Sequence, residues 1–304
     1  MGVMRLGYMH VKVTNLAEAK HHYSEIVGLD LTAEQDGKAY FKGWDEWDHH
    51  SVVIEEGGVG IVKAGFKVRY LEDLATMETA AEKFGVTVER FGKGENLEVG
   101  EGVRFHIPMG HTIELYHEMG YLGTDVGILN PQTRPRVLKG IGAPFLDHAL
   151  IKGADIVTAE RFFIDVLGFT PVERMMGSLD DNAPLIATWL SVSNKTHDFA
   201  LIAGEDGGLH HFTFQLRDWS AVQNAGDQLV IEGVPIDLGP TRHGITRGET
   251  IYFFDAAGNR NEVFAGGYNY NPDRPCVTWT MDQLPRGLDY YANEAKESFL
   301  TVYT

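Results

Sequence analysis

The chain has 304 residues, of which 43% are hydrophobic and 23% charged, and a formal net charge of −17. That charge repels phosphate backbones and anionic lipid, which excludes nucleic acid and membrane surfaces as partners. Cys276 is the single cysteine, so intramolecular disulfides and thiolate metal clusters are excluded, and a reducing, cytoplasmic setting is expected.

Residues 1–8 lack the apolar core of a signal peptide, and nowhere do about 18 apolar residues run together as a membrane span requires. From His10 a short alternating apolar run predicts a strand, followed by a helix ending at Gly28. A second helix is expected around Leu74–Phe84, and residues 103–116 read as strand, turn, strand, the turn built on Pro108 and Gly110. The stretch Asn130–Arg136 holds two prolines and is the natural boundary.

The pattern then repeats. From His148 there is again a strand, then a helix whose apolar residues include Ala159, Phe162, Phe163, Val166 and Leu167, ending at Gly168. A further helix is expected over Trp219–Ile231, and residues 251–264 match residues 103–116, turning at Asp255 and Gly258. His10 is matched to His148 and Glu114 to Glu262. After Gly267 the tail is rich in aromatics (Tyr268, Tyr270, Trp279, Tyr290, Tyr291, Phe299), and its Asp282–Leu300 portion is read as helical. Packing over a cavity mouth, within the core or at a subunit contact would each account for it.

With thiolates excluded, a metal must be held by His, Asp or Glu. His148 on a strand, His211 in the run from Leu209 to Phe214, and Glu262 supply two imidazoles and one carboxylate. Such a trio can occupy one face of an octahedral ion and leave three positions open. The first half reads as a copy without a metal site: the segment matched to residues 209–212 is 65–68, where Lys67 stands against His211 and a protonated amine has no lone pair. Neighbours on a strand point to opposite faces, so one of His210 and His211 is expected in the cavity. His211 is preferred, leaving His210 structural or in the surrounding shell.

These residues carry a resemblance that covers nearly the whole chain. The run from Gly239 to Phe264, with His243, Tyr252 and Glu262, is its most specific stretch; Leu146–Leu150, Thr196–Ala200, Leu209–His211 and Val277–Thr280 extend it. The chain resembles the catechol 2,3-dioxygenases, type I extradiol dioxygenases of the vicinal oxygen chelate superfamily. The resemblance implies an α+β fold of two tandem domains, residues 1–135 without a metal and 136–304 catalytic. Each would consist of two βαβββ modules forming an open barrel around a central cavity. It implies Fe(II) held by His148, His211 and Glu262; Mn(II) accepts the same ligands. It implies acid–base work for His197, a hydrogen bond from His243 to the oxygen co-substrate, and one from Tyr252 to a substrate oxygen. It places Trp189, Ile202, Ile245, Leu288 and Phe299 in the substrate wall, Trp189 being larger than the aromatic ring expected there. The implied reaction is extradiol cleavage by O2 of catechol or its alkyl- and halo-substituted forms to 2-hydroxymuconate semialdehyde, by a homotetramer. The alternatives are an isomerase of the same fold, an extradiol enzyme for a bicyclic diol such as a dihydroxybiphenyl, and a non-catalytic binding protein. Keeping all three ligands disfavours the last.

Overall fold

A computed structural model describes residues 2–304. The first half runs β1 (Val3–Val13), α1 (Leu16–His21), β2 (Asp30–Gln35), β3 (Lys38–Lys42), β4 (Val52–Glu56), β5 (Gly60–Val68), α2 (Leu71–Phe84), β6 (Thr87–Phe91), β7 (Gly102–His106) and β8 (Thr112–Tyr116). The second half repeats it with β9 (Phe145–Gly153), α3 (Ile156–Asp165), β10 (Thr170–Met176), β11 (Leu185–Ser191), β12 (Phe199–Ala203), β13 (Gly208–Gln215), α4 (Trp219–Ile231), β14 (Ile236–Arg242), β15 (Gly248–Phe254) and β16 (Arg260–Gly266). This is βαβββ twice in each half, the order that the resemblance implies. The tail adds β17 (Val277–Thr280) and two short helices, α5 (Leu284–Leu288) and α6 (Glu297–Thr301).

The strands form two open sheets. The first has eight strands in the order β2-β3-β4-β1-β5-β8-β7-β6; the second has nine, β14-β15-β16-β13-β9-β12-β11-β10-β17. In each sheet the first strands of the two modules, β1 with β5 and β9 with β13, pair antiparallel at the centre. Helices α3 and α4 pack on one face of the second sheet, against β11, β12 and β14–β16, and the other face curves around a cavity. Both faces of β9 and β13 are therefore covered, which is why these strands are almost entirely buried.

The two halves share one hydrophobic core. Phe66 on β5 packs edge-on against Phe163 and Phe199, and Phe84 of α2 meets Phe162 of α3 at 5.5 Å between ring centres. Fully burying a phenylalanine contributes about 1.5–3 kcal/mol, so this aromatic seam holds the halves together more firmly than the polar links that cross it, such as the Tyr23 hydroxyl donating to Asp255 at 2.9 Å.

Two expectations need correction. The tail is not helical over Asp282–Leu300: α5 stops at Leu288 and residues 289–296 form no helix. Pro285 starts a helix readily, but Gly287 in a helix of five residues and Asp289 in extended conformation end it. The matching of His10 to His148 is also displaced. Tyr8 pairs with Gly65, which pairs with Glu114; His148 pairs with Thr213, which pairs with Glu262. Tyr8 therefore stands where His148 stands, and His10 corresponds to Leu150. The same pairings put Lys63, not Lys67, at the position of His211. A signal was present in the sequence: His10 precedes Gly28 by two residues fewer than His148 precedes Gly168.

Candidate metal centre and its cavity

The centre is built on three adjacent strands of the second sheet, β16, β13 and β9. His148 lies on β9, His211 on β13 and Glu262 on β16. Their side chains converge, with Glu262 Oε2 3.1 Å from His148 Nε2 and 3.3 Å from His211 Nε2. Among the described residues this is the one group of three or more His, Cys, Asp or Glu that could hold an ion, its ligand atoms all within 4.8 Å of one another. All three residues are buried.

The surrounding hydrogen bonds leave the right atoms free. His148 Nδ1–H donates to Asp147 Oδ2 at 2.6 Å, which turns the Nε2 lone pair toward Glu262. Asp147 is itself held by Lys195, whose ammonium donates to its Oδ1 at 3.1 Å. His210 Nε2–H donates to the Phe299 carbonyl at 2.8 Å, so its Nδ1 can accept from His211 Nδ1–H at 2.7 Å, and the His211 Nε2 lone pair also faces the centre. Thr213 and Thr250 donate to the two oxygens of Glu262.

His210 and His211 both line the cavity, contrary to the expectation that a strand separates neighbours. The β9–β13 register shifts between Leu209 and His211, and such a bulge places two residues against one. Only the pairing of two distant strands reveals it.

Electrostatics support a cation here. Burial opposes charge on Glu262, yet hydrogen bonding and charge from His148 outweigh it and its pKa is lowered. Burial also opposes a charged His148, but the carboxylates of Asp147 and Glu262 raise its pKa. His211 and His197 are pushed well below the usual imidazole range by burial, then by neighbouring histidines. Among the described residues no lysine or arginine pairs with Glu262. Two imidazole nitrogens and an ionised carboxylate aimed at one point are a donor set for a divalent ion, whose charge the carboxylates around His148 favour.

The centre lines a cavity of about 280 Å³. Around it stand the three residues expected to act on substrate. The His197 ring lies 3.9 Å from that of His148. His243 Nδ1–H donates to the Leu288 carbonyl, and the Tyr252 hydroxyl donates to His243 Nε2 at 2.9 Å. The cavity is lined by Trp189, Ile202, Ile245, Leu288 and Phe299, the residues expected in a substrate wall, and also by Met175, Ile186, Met281 and Leu284, which sequence reasoning did not single out. Their strands and tail segment offered no signal beyond ordinary apolar residues. A larger cavity of about 690 Å³ lies between the halves and shares only Phe264 with this one; none of the three converging side chains reaches it.

Comparison with known proteins agrees with this geometry. Residues 64–119 match the catechol 2,3-dioxygenase-like N-terminal domain, and residues 145–263 the glyoxalase/bleomycin resistance protein/dioxygenase superfamily. Metapyrocatechase of Pseudomonas sp. (strain CF600) is 40% identical over 308 residues, covering 100% of this chain and 99% of that one. The chain belongs to the metapyrocatechase family of extradiol dioxygenases. The 2,3-dioxygenase LapB of Pseudomonas sp. KL28 superposes with a TM-score of 0.89 at 42% identity, over 93% of this chain and 99% of that one. A manganese-dependent 2,3-dihydroxybiphenyl 1,2-dioxygenase of Geobacillus genomosp. 3 is 26% identical, over 97% of this chain and 95% of that one. In this family the chain's two-sheet architecture is the vicinal oxygen chelate fold. Among the described residues no helix is long and apolar enough to cross a membrane.

Proposed function

We propose that the protein cleaves catechol, and catechols carrying alkyl or halogen substituents, beside the diol, using O2 and an Fe(II) ion held by His148, His211 and Glu262. The carbon–carbon bond next to one hydroxyl-bearing carbon breaks, both oxygen atoms enter the product, and catechol plus O2 balances to 2-hydroxymuconate semialdehyde. The observation that carries this reading is the convergence of two imidazoles and one carboxylate in the wall of a mostly apolar cavity.

When bound, the ion supplies open positions for the diol and O2 and a route for electrons between them. The chain's own residues do the rest. The mostly apolar wall takes the ring and excludes water, which strengthens every polar contact inside. Burial keeps His197 neutral, so its imidazole is a base ready for the proton that the diol must release, and a donor for returning it. Tyr252 stays protonated, its pKa raised well above the usual phenol value by burial and then by Glu262, and the hydroxyl proton that it gives to His243 Nε2 can turn to a substrate oxygen instead. His243, anchored through Nδ1, directs Nε2 to the same region.

Residues 1–135 in this reading form a domain without metal and 136–304 the catalytic domain, in a cytoplasmic homotetramer. The test is anaerobic loading of purified protein with Fe(II) or Mn(II), followed by catechol in air. Oxygen uptake with a yellow product from the Fe(II) form supports the proposal. Greater turnover with Mn(II), or with a bicyclic diol, would reassign metal or substrate, and no oxygen uptake with any of them would overturn it.

A further inference from the structure

Outside the cavity, one carboxylate gathers three segments that are distant in sequence. Glu173 on β10 is 1% exposed. Its Oε1 accepts from the Thr246 backbone N–H at 2.9 Å and from the Tyr268 hydroxyl at 2.7 Å; its Oε2 accepts from the Trp279 indole N–H at 2.6 Å. The amide and the indole can only donate, so both carboxylate oxygens serve as acceptors. Burial pushes the Glu173 pKa up, and these donors oppose that shift.

Two of the bonds lead to His243. Thr246 sits in the turn between β14 and β15, where Thr246 and Arg247 have φ of 60° and 59°. A β-branched residue rarely adopts that conformation, and its surroundings must hold it. The turn begins at His243, whose N–H donates to the Gly248 carbonyl at 2.8 Å, and carries Ile245 of the wall. Trp279 sits on β17, which runs directly into residues 281–288. That segment supplies the Leu288 carbonyl that anchors His243 Nδ1. It also supplies the Gly287 carbonyl, which accepts from Gly244 and Ile245 at 3.0 and 3.2 Å. The imidazole is thus held between a turn and a tail segment, and Glu173 bonds to both.

We propose that Glu173 is a positioning residue for ring cleavage, joining the His243 turn to the Trp279 strand so that His243 Nε2 faces the cavity beside Tyr252. The proposal rests on the catechol-cleaving reading above.

Glu173→Gln keeps the volume but replaces one acceptor oxygen with a donor, which then meets another donor. With metal-loaded protein and catechol, kcat is expected to fall about tenfold, the scale of a lost charge-assisted hydrogen bond, while metal content per chain stays at the parental value. In a His243→Gln background the same change is expected to lower kcat less than about twofold, because the group it acts through is already gone. Trp279→Phe removes one donor and keeps most of the ring; it is expected to give a smaller loss of the same kind, and it serves if Glu173→Gln does not fold. Glu160→Gln is the control. That carboxylate is held by Arg174 and Thr188 on the opposite face of the sheet, and its loss is expected to lower Tm with kcat unchanged. Parental kcat in Glu173→Gln, or in Trp279→Phe where the former does not fold, would overturn the proposal. So would an undiminished loss in the His243→Gln background, or an equal kcat loss in Glu160→Gln. Failure of the metal-loaded parent protein to cleave catechol would instead overturn the functional reading, so the two failures are distinguishable.

Discussion

Glu114 and Glu262 occupy equivalent positions in the two sheets, and both are 0% exposed. Glu114 is neutralised by the chain itself. Lys63 donates to its Oε1 at 3.1 Å, Arg104 Nε at 2.8 Å, and Asn96 and the Tyr8 hydroxyl reach its Oε2. Around Glu262 the corresponding residues are His211 for Lys63, Tyr252 for Arg104 and His148 for Tyr8, and none carries a fixed positive charge. His50 and Tyr116 likewise stand where His197 and Phe264 stand, two residues before β4 or β12 and two after the glutamate. A buried carboxylate without a partner is costly. The first half satisfies it with side-chain cations, and the second leaves lone pairs for an ion. Even the backbone follows this difference. Gly65 takes the place of Thr213 because a Cβ there would lie 2.1 Å from the Tyr8 ring, whereas Thr213 can donate to Glu262.

The comparison can be broken in several places. The largest effect is expected for His211→Ala, which leaves two ligands: metal content measured by plasma mass spectrometry should fall to background and ring cleavage with it. Retained metal at parental stoichiometry would show that the centre lies elsewhere. Next is the His210 relay. His210→Phe removes the acceptor for His211 Nδ1–H and is expected to weaken metal affinity about 10–100-fold in chelator competition, whereas His210→Gln, with a carbonyl and an amide on one side chain, should recover most of it. Equal losses in both would argue against the relay.

In the first half the same logic predicts a stability effect without a chemical one. Lys63→Met leaves Glu114 with fewer donors and is expected to cost about 1.5–3 kcal/mol in urea unfolding, with metal content and kcat unchanged. A change in metal content would mean that the halves are not independent at this level.

The smallest effect is pH-dependent. His10, buried and with its Nε2 lacking a hydrogen-bond partner, has its pKa lowered to about 3 by burial and then by Lys63, Lys38 and Lys12; the partly exposed Glu55 lies 3.2 Å away. Because the unfolded chain binds this proton near pH 6.5 and the folded chain does not until about pH 3, stability falls as pH drops through that window. At pH 5 the contribution is about 2 kcal/mol. His10→Leu, which installs the residue found at the equivalent Leu150, should remove that part of the acid loss and leave stability at pH 8 nearly unchanged. An unaltered difference in Tm between pH 7 and pH 5 would contradict it.

Much of this was legible in the residues. Alternating and 3.6-residue apolar periods marked the strands and helices, and the glycine stops at Gly28 and Gly168 exposed the duplication. Residue type marked His148, His211 and Glu262 as capable of coordination, and the resemblance carried by the Gly239–Phe264 run singled them out among the 13 histidines and 43 acidic residues. The apolar wall residues Met175 and Met281 could not be distinguished from core, and the irregular tail was mistaken for a helix because its aromatic spacing says little about Pro285 and Gly287.

Sequence by itself therefore determined the duplication of the chain and the single cysteine that leaves no thiolate cluster, which depend on local periodicity and residue type, while the βαβββ order and the ligand trio followed from the resemblance that its motifs carry. Tertiary structure decided that Tyr8 and Lys63 replace His148 and His211 in the first half, that His210 turns into the cavity beside His211, and that Glu173 joins the turn to the tail. Strand register and bulges are set by hydrogen bonds between segments far apart in the chain, and a slip of one or two residues leaves the apolar pattern of each segment almost unaltered.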